Sequence, residues 1–251
     1  MDRTKIEHYV PISYLKRFAT PSNSEQIWVF DKSTRTSFQT NIKNVACEKG
    51  FYDTPNESAS SQSTEKILSA FEKYFNKIID LVITDIKENR QLGPEYKVPL
   101  ARLLYTQIIR TRRARNKILD TANSMDKALH DIADGIRVPN GKKVKFPEPL
   151  KADKLPMVQA DMIFSSYLEK GVKKFTDEYV WIIGTNNKRM PLYTSDHPVV
   201  MDRDPEGPPN IISVIAFPLT PEYMLILGHK SFVEKAVAGD AEKIDCLIVP
   251  M

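Results

Sequence analysis

Between residues 65 and 89 the apolar side chains Ile67, Phe71, Phe75, Ile78, Val82 and Ile86 recur three or four residues apart. A stripe of that period fits one face of a helix, because strand side chains change face at every residue. Gly93-Pro94 stops the run, and a second long helix is expected from about residue 95 into the 120s or 130s. Two such helices joined by a short break form an antiparallel hairpin. A third helix over 156–175 would carry Met157, Phe164, Leu168 and Val172 on one face.

After residue 176 the period changes. The stretches 179–184, 192–194, 199–201, 211–217 and 223–227 are short apolar runs separated by Asn, Pro and Gly, which predicts a mostly antiparallel sheet. Before the helices, Pro11 suits the first turn of a short helix over 12–18, where the missing N–H costs nothing. Strands are expected at 27–32 and 37–40 around a turn at 33–36, and Asn41 can cap a short helix over 42–47. Helices and strands in blocks, without βαβ alternation, indicate a single α+β domain over 1–251. The polar stretches 54–63 and 138–149 read as surface loops. The apolar run 246–251 has no polar tail and reads as an interrupted element, so the domain is expected to continue past it.

A chain of 251 residues can bury enough surface to need no staple. Cys47 and Cys246 lie far apart and match no metal spacing, which predicts reduced thiols. Residues 1–7 are charged and lack the apolar centre of a signal peptide. No run approaches the ~18 apolar residues of a membrane span, so a cytoplasmic protein without membrane contact is expected. The net charge of +4 permits nucleic-acid contact without arguing for it.

Polar residues interrupt the second long helix. At about 100° per residue, Leu100, Leu103, Leu104 and Ile118 share a side, with Gln107, Thr111 and Ala114 in the middle of it and Arg110 and Arg115 at its margins. Such groups need partners or a cavity. Glu72, on the edge of the first helix's stripe, is a candidate partner for Arg110, either in a functional pocket or in a structural ion pair, and Glu65 stands two turns earlier. Residues 110–117 contain five cations, of which Arg112 and Arg113 point away from the apolar face. Thr194-Ser195-Asp196-His197-Pro198 reads either as a turn or as an acid, an imidazole and a hydroxyl gathered at a sheet end. His8 is either a satisfied core histidine or a general base. Metal-ligand spacings, Gly-rich phosphate loops and a Gly-x-Ser-x-Gly elbow are absent from the sequence.

The same positions carry a family likeness. His8-Tyr9-Val10-Pro11 with residues 14–18, then Phe51-Tyr52, Glu65, Glu72, Gln107, Arg110, Thr111, Arg113, Thr194-Ser195-Asp196, Pro198 and residues 218–221 resemble the pattern of the family catalogued as domain of unknown function 4238. His197 stands where that pattern usually has asparagine, and the family continues past this chain's end with an Asn-containing segment. The resemblance implies a common architecture with no established activity. Its characteristic residues are polar and distant in sequence, the usual form of a site.

Three readings follow. In the first, the protein is a phosphodiester hydrolase acting on nucleic acid, metal-independent or weakly metal-assisted. His8 would then be general base or acid, Asp196 its orienter or a metal ligand, Arg110 the phosphate clamp beside Gln107, and Glu72 a second acid or a structural partner. Ser195 would add a binding hydroxyl, and Arg112, Arg113 and Arg115 sequence-independent affinity. In the second, it is a non-enzymatic binding module whose polar pocket recognises a small anion or a peptide and whose basic helix docks an acidic partner. In the third, the polar set is a buried network that fixes the packing. No cofactor is called for, with a divalent cation left open.

Overall fold

A computed structural model describes residues 6–53, 60–135, 148–239 and 249–250. The chain starts with β1 (Ile6–His8) and α1 (Ile12–Leu15), which runs on as a 3₁₀ turn to Phe18. The hairpin β2 (Gln26–Asp31) and β3 (Thr36–Asn41) follows, then β4 (Cys47–Lys49), which returns antiparallel to β1 with His8 opposite Cys47. The Asn41 side chain accepts from the Lys43 N–H and caps a turn that ends at Asn44, so the expected helix over 42–47 gives way to β4. The β1–β4 pair went unforeseen, because three-residue strands are too short to show a period.

The middle of the chain is helical. α2 (Ser60–Lys87) begins inside the stretch expected to be loop, whose residues 54–59 lie outside the description. After Gly93-Pro94 comes α3 (Lys97–Ile109), then α4 (Arg112–Gly135). The expected second long helix is therefore two helices, broken at Arg110-Thr111. Arg110 sits at ψ −5° and closes α3, while the Thr111 carbonyl accepts the first bond of α4, from the Arg115 N–H. The third expected helix is also divided, into α5 (Leu155–Phe164) and α6 (Ser166–Glu178). Ser165 makes that break by accepting from the Tyr167 N–H at 3.3 Å, a helix N-cap. Residues 138–147 of the second expected loop are outside the description, as is Cys246.

α6 runs directly into β5 (Tyr179–Thr185). With β6 (Val200–Asp202), β7 (Val214–Pro218), β8 (Tyr223–His229) and β9 (Val249–Pro250) it forms an antiparallel sheet in the order β6-β7-β8-β5-β9. Residues 192–194 join no strand, although the Leu192 N–H donates to the Pro221 carbonyl at 2.9 Å, so that expected strand is absent. α7 (Lys230–Gly239), which no period had announced, follows β8. The architecture is α+β, as expected.

One apolar cluster joins these parts. Trp181, Ile183, Ile215, Phe217, Leu225 and Leu227 of the sheet, Leu168, Val172 and Phe175 of α6, Leu100, Leu103 and Leu104 of α3, and Phe75, Ile79 and Val82 of α2 are all buried in it. Tyr9, Val10, Tyr14 and Leu15 insert into the same cluster, which fastens the N-terminal segment to the helices. α3 and α6 approach so closely at Gly171 that a Cβ there would stand 2.1 Å from the Tyr105 ring.

Candidate functional site

The polar residues of α3 converge on the N-terminal segment. Arg110, 4% exposed, donates from Nη2 to the His8 carbonyl at 2.9 Å and to Glu72 Oε1 at 2.8 Å, and from Nε to the Tyr52 hydroxyl at 3.2 Å. Burial works against its charge, the Tyr52 hydroxyl and the Glu72 carboxylate work for it, and the balance lies above the ordinary arginine value. Gln107 donates to the Tyr9 carbonyl at 3.0 Å. Arg115 donates to the Phe51 carbonyl at 2.6 Å and lies 3.6 Å over the Phe51 ring. Its Nε is held by Gln159 Oε1 at 2.7 Å, and Gln159 Nε2 in turn donates to the Ile109 carbonyl that the helix break sets free, at 2.7 Å, and more distantly, at 3.3 Å, to the Thr111 carbonyl that already accepts from the Arg115 N–H.

The geometry departs from the sequence reading at two points. Arg110 does not sit at the margin of one continuous helix. It ends α3, its Nε and Nη2 donate to protein acceptors, and its side chain lines the small cavity beside Glu72. His8 and Asp196 do not pair: the His8 ring meets the Lys43 carbonyl at 3.2 Å, while Asp196 is exposed and its carboxylate hydrogen-bonds to no described residue. Burial lowers the pKa of His8 below its ordinary value, so the ring is neutral near pH 7. A cavity of about 20 Å³ lies against Tyr14, Glu72, Thr106, Gln107, Arg110 and Phe217. That is room for a water, far below the several hundred Å³ of a substrate site.

A second group forms where α4 begins. Thr111 is fully buried; its Oγ1 accepts from the Ala114 N–H at 3.3 Å and shares a 2.9 Å hydrogen bond with His197 Nδ1. Burial, and then the neighbouring Arg113, lower the His197 pKa. Ser195 accepts from the His197 N–H at 3.1 Å, and Tyr14 binds the Thr194 hydroxyl at 2.9 Å and the Pro218 carbonyl at 2.8 Å, so the 194–198 turn is pinned to both the sheet and α4. Arg112 and Arg113 are exposed; Arg112 pairs with Glu48 at 3.1 Å, and Arg113 has no ion pair among the described residues. Asp196 raises the Tyr9 pKa, after burial, and the phenol is pushed up to about 12.

Glu72, His8, Gln107 and Arg110 thus come together in one place, and Arg112, Arg113, Ser195 and Asp196 lie in the neighbourhood of the α4 start. Arg115 belongs to the interior, and the Glu65 side chain is outside the description. Sequence reasoning missed Gln159, Tyr14 and Glu7, whose buried carboxylate accepts from the Tyr52 N–H at 2.7 Å. Gln159 carried a readable signal, a glutamine between Pro156 and Ile163 on a buried helix face. Among the described residues no group of His, Cys, Asp and Glu is arranged to hold a metal ion, and no helix is long and apolar enough to cross a membrane. No curated protein and no solved structure matches the chain. Residues 7–242 match the model of the family described as Protein of unknown function (DUF4238), to which the chain therefore belongs.

Proposed function

We propose that the chain is an anion-binding module that works through the exposed first turn of α4, and that the buried set around Arg110 is its scaffold. One observation carries this reading: Arg112 and Arg113 occupy the first two positions of a 24-residue helix with no acid in its first turn. Cations there oppose the helix dipole, each at a cost of about 0.3–1 kcal/mol. Folding does not require that cost, and a phosphate seated on the turn would offset it by meeting both the arginines and the free N–H groups. His197, held by Thr111, would flank the anion.

The alternative of a phosphodiester hydrolase built on His8, Asp196 and Arg110 has less support, because its three groups are not arranged around one open space. Fluorescence anisotropy with labelled oligonucleotides, for wild type and the Arg112→Gln/Arg113→Gln pair, tests the proposal. Loss of two phosphate contacts should reduce the slope of log K against log salt by about 1.4–1.8. An unchanged slope would refute the binding surface. Strand cleavage that His8→Ala abolishes would restore the hydrolase reading.

A further inference from the structure

The hairpin β2–β3 carries a feature that the anion reading does not absorb. Its inner face packs on the core through Ile27, which is buried, and Val29, which is partly buried, while Trp28 and Phe30 stand on the outer face at 62% and 58% exposure. Two large aromatics on the open side of a two-stranded sheet do nothing for the core. Alternate residues of a strand are about 7 Å apart, so each ring can take its own planar partner.

The surroundings say what kind of partner fits. Cross-strand register places Gln39, whose Nε2 donates to Thr20 Oγ1 at 3.3 Å, beside Trp28 and Ser37 beside Phe30, so hydrogen-bonding groups edge the rings. The hairpin's acids are engaged: Asp31 accepts from Ser33 N and Oγ at 2.8 and 2.7 Å, and Glu25 pairs with Lys16. Its turn cations are not, for Lys32 and Arg35 are exposed without an ion pair among the described residues. Arg35 holds φ 56°, a left-handed position where glycine or asparagine would be less strained. Aromatic faces edged by amide and hydroxyl groups, with unpaired cations and no unengaged acid, match a chain of planar bases joined by phosphates.

We infer that the outer face of this hairpin is a stacking platform for unpaired bases, so that the ligand of the module is single-stranded nucleic acid. This rests on the anion-binding reading and sharpens it. From β3 the chain passes in seven residues from Asn41 to Glu48, which contacts Arg112, so the platform and the α4 turn are linked by one short segment. Bases lie on Trp28 and Phe30, and phosphates on the hairpin turn cations and on Arg112 and Arg113. A duplex, whose bases are already stacked, is a poorer ligand.

Tryptophan emission offers a direct readout, since Trp28 is exposed and Trp181, the other tryptophan, is 1% exposed. The full chain is titrated with an oligothymidylate, an abasic strand of equal length and a hairpin duplex. The expected result is quenching by the oligothymidylate alone, and an affinity loss of at least about tenfold in Trp28→Ala/Phe30→Ala for that ligand only. The Arg112→Gln/Arg113→Gln variant should weaken the oligothymidylate and the abasic strand alike. Equal binding of both strands, unchanged by Trp28→Ala/Phe30→Ala, overturns the platform and leaves the anion reading standing. Binding of no ligand overturns both. A change in self-association on sedimentation, with nucleic-acid affinity untouched, assigns the face to a protein contact and also overturns the platform.

Discussion

Replacing Arg110 with methionine separates scaffold from site. Methionine keeps most of the length of the side chain and creates little void, so the effect reports the lost hydrogen bonds. Three are removed, to the His8 carbonyl, the Tyr52 hydroxyl and Glu72. The carbonyl and the hydroxyl lie inside and are left with only the long 3.5 Å bond from the Tyr52 hydroxyl to the His8 carbonyl, and a buried polar group without a good partner costs about 1–3 kcal/mol each. Glu72 is 26% exposed and recovers water, so its share is closer to that of a surface pair, about 1 kcal/mol or less. The expected loss is therefore about 3 kcal/mol, read as a lower urea midpoint at unchanged m-value. In a chain of this size it corresponds to a fall in Tm of about 6–12 °C. Hydrogen exchange at Tyr9, whose N–H is bonded to the Ala46 carbonyl, should accelerate with it. Oligonucleotide affinity, measured well below the midpoint, should not change. A loss of stability below about 1 kcal/mol accompanied by loss of affinity would refute the reasoning and return Arg110 to the ligand.

Other perturbations address neighbouring links. Gln159→Leu strands the Ile109 carbonyl and the Arg115 Nε, while the Thr111 carbonyl keeps its bond from the Arg115 N–H, and should cost about 3 kcal/mol by urea denaturation; a neutral result would mean that the helix break supports itself. Gly171→Ala drives a methyl into the Tyr105 ring and should cost about 1–3 kcal/mol by the same measurement, and a stabilised variant would contradict the close α3–α6 approach. His8 and His197 both have depressed pKa values, so on acidification the unfolded chain takes up protons first. Their contribution to stability is full above the ordinary value of 6.5 and is lost as pH falls from there through the folded values. His197→Asn should flatten that part of a Tm-against-pH curve, and an identical curve would remove His197 from the explanation.

The long stripe on α2 and the apolar runs of β5, β7 and β8 were legible because a helix of several turns repeats its signal and a buried strand is apolar along most of its length between turn residues. The breaks were not equally legible. At Ser165 the sequence did hold a local cue, an N-cap serine, which the apolar pattern of Met157, Phe164 and Leu168 outweighed in the reading of one helix. At Arg110-Thr111 the principal stabilising group is Gln159, about fifty residues away, which binds the carbonyls on both sides of the break. No window of local sequence contains that interaction. The rotation it permits explains why Thr111 is buried as the cap of α4 and not as a member of the α3 stripe.

Convergence of distant polar residues proved a sound guide to proximity, yet it does not by itself distinguish a site from a scaffold. The partner atoms make that distinction. Arg110, Gln107, Arg115 and Gln159 all donate to main-chain carbonyls, of His8, Tyr9, Phe51 and Ile109 respectively. They answer a demand made by irregular backbone packed inside a protein, where each carbonyl without a strand or helix partner needs a donor. What this network reads in the His8-Tyr9 segment is its backbone, so the identity of the His8 side chain matters less to it than the path of the chain. Groups whose hydrogen-bonding or stacking capacity is not consumed in this way lie elsewhere, at Arg113 on the first turn of α4 and at Trp28 and Phe30 on the hairpin, and those are the surfaces on which a ligand has something left to bind.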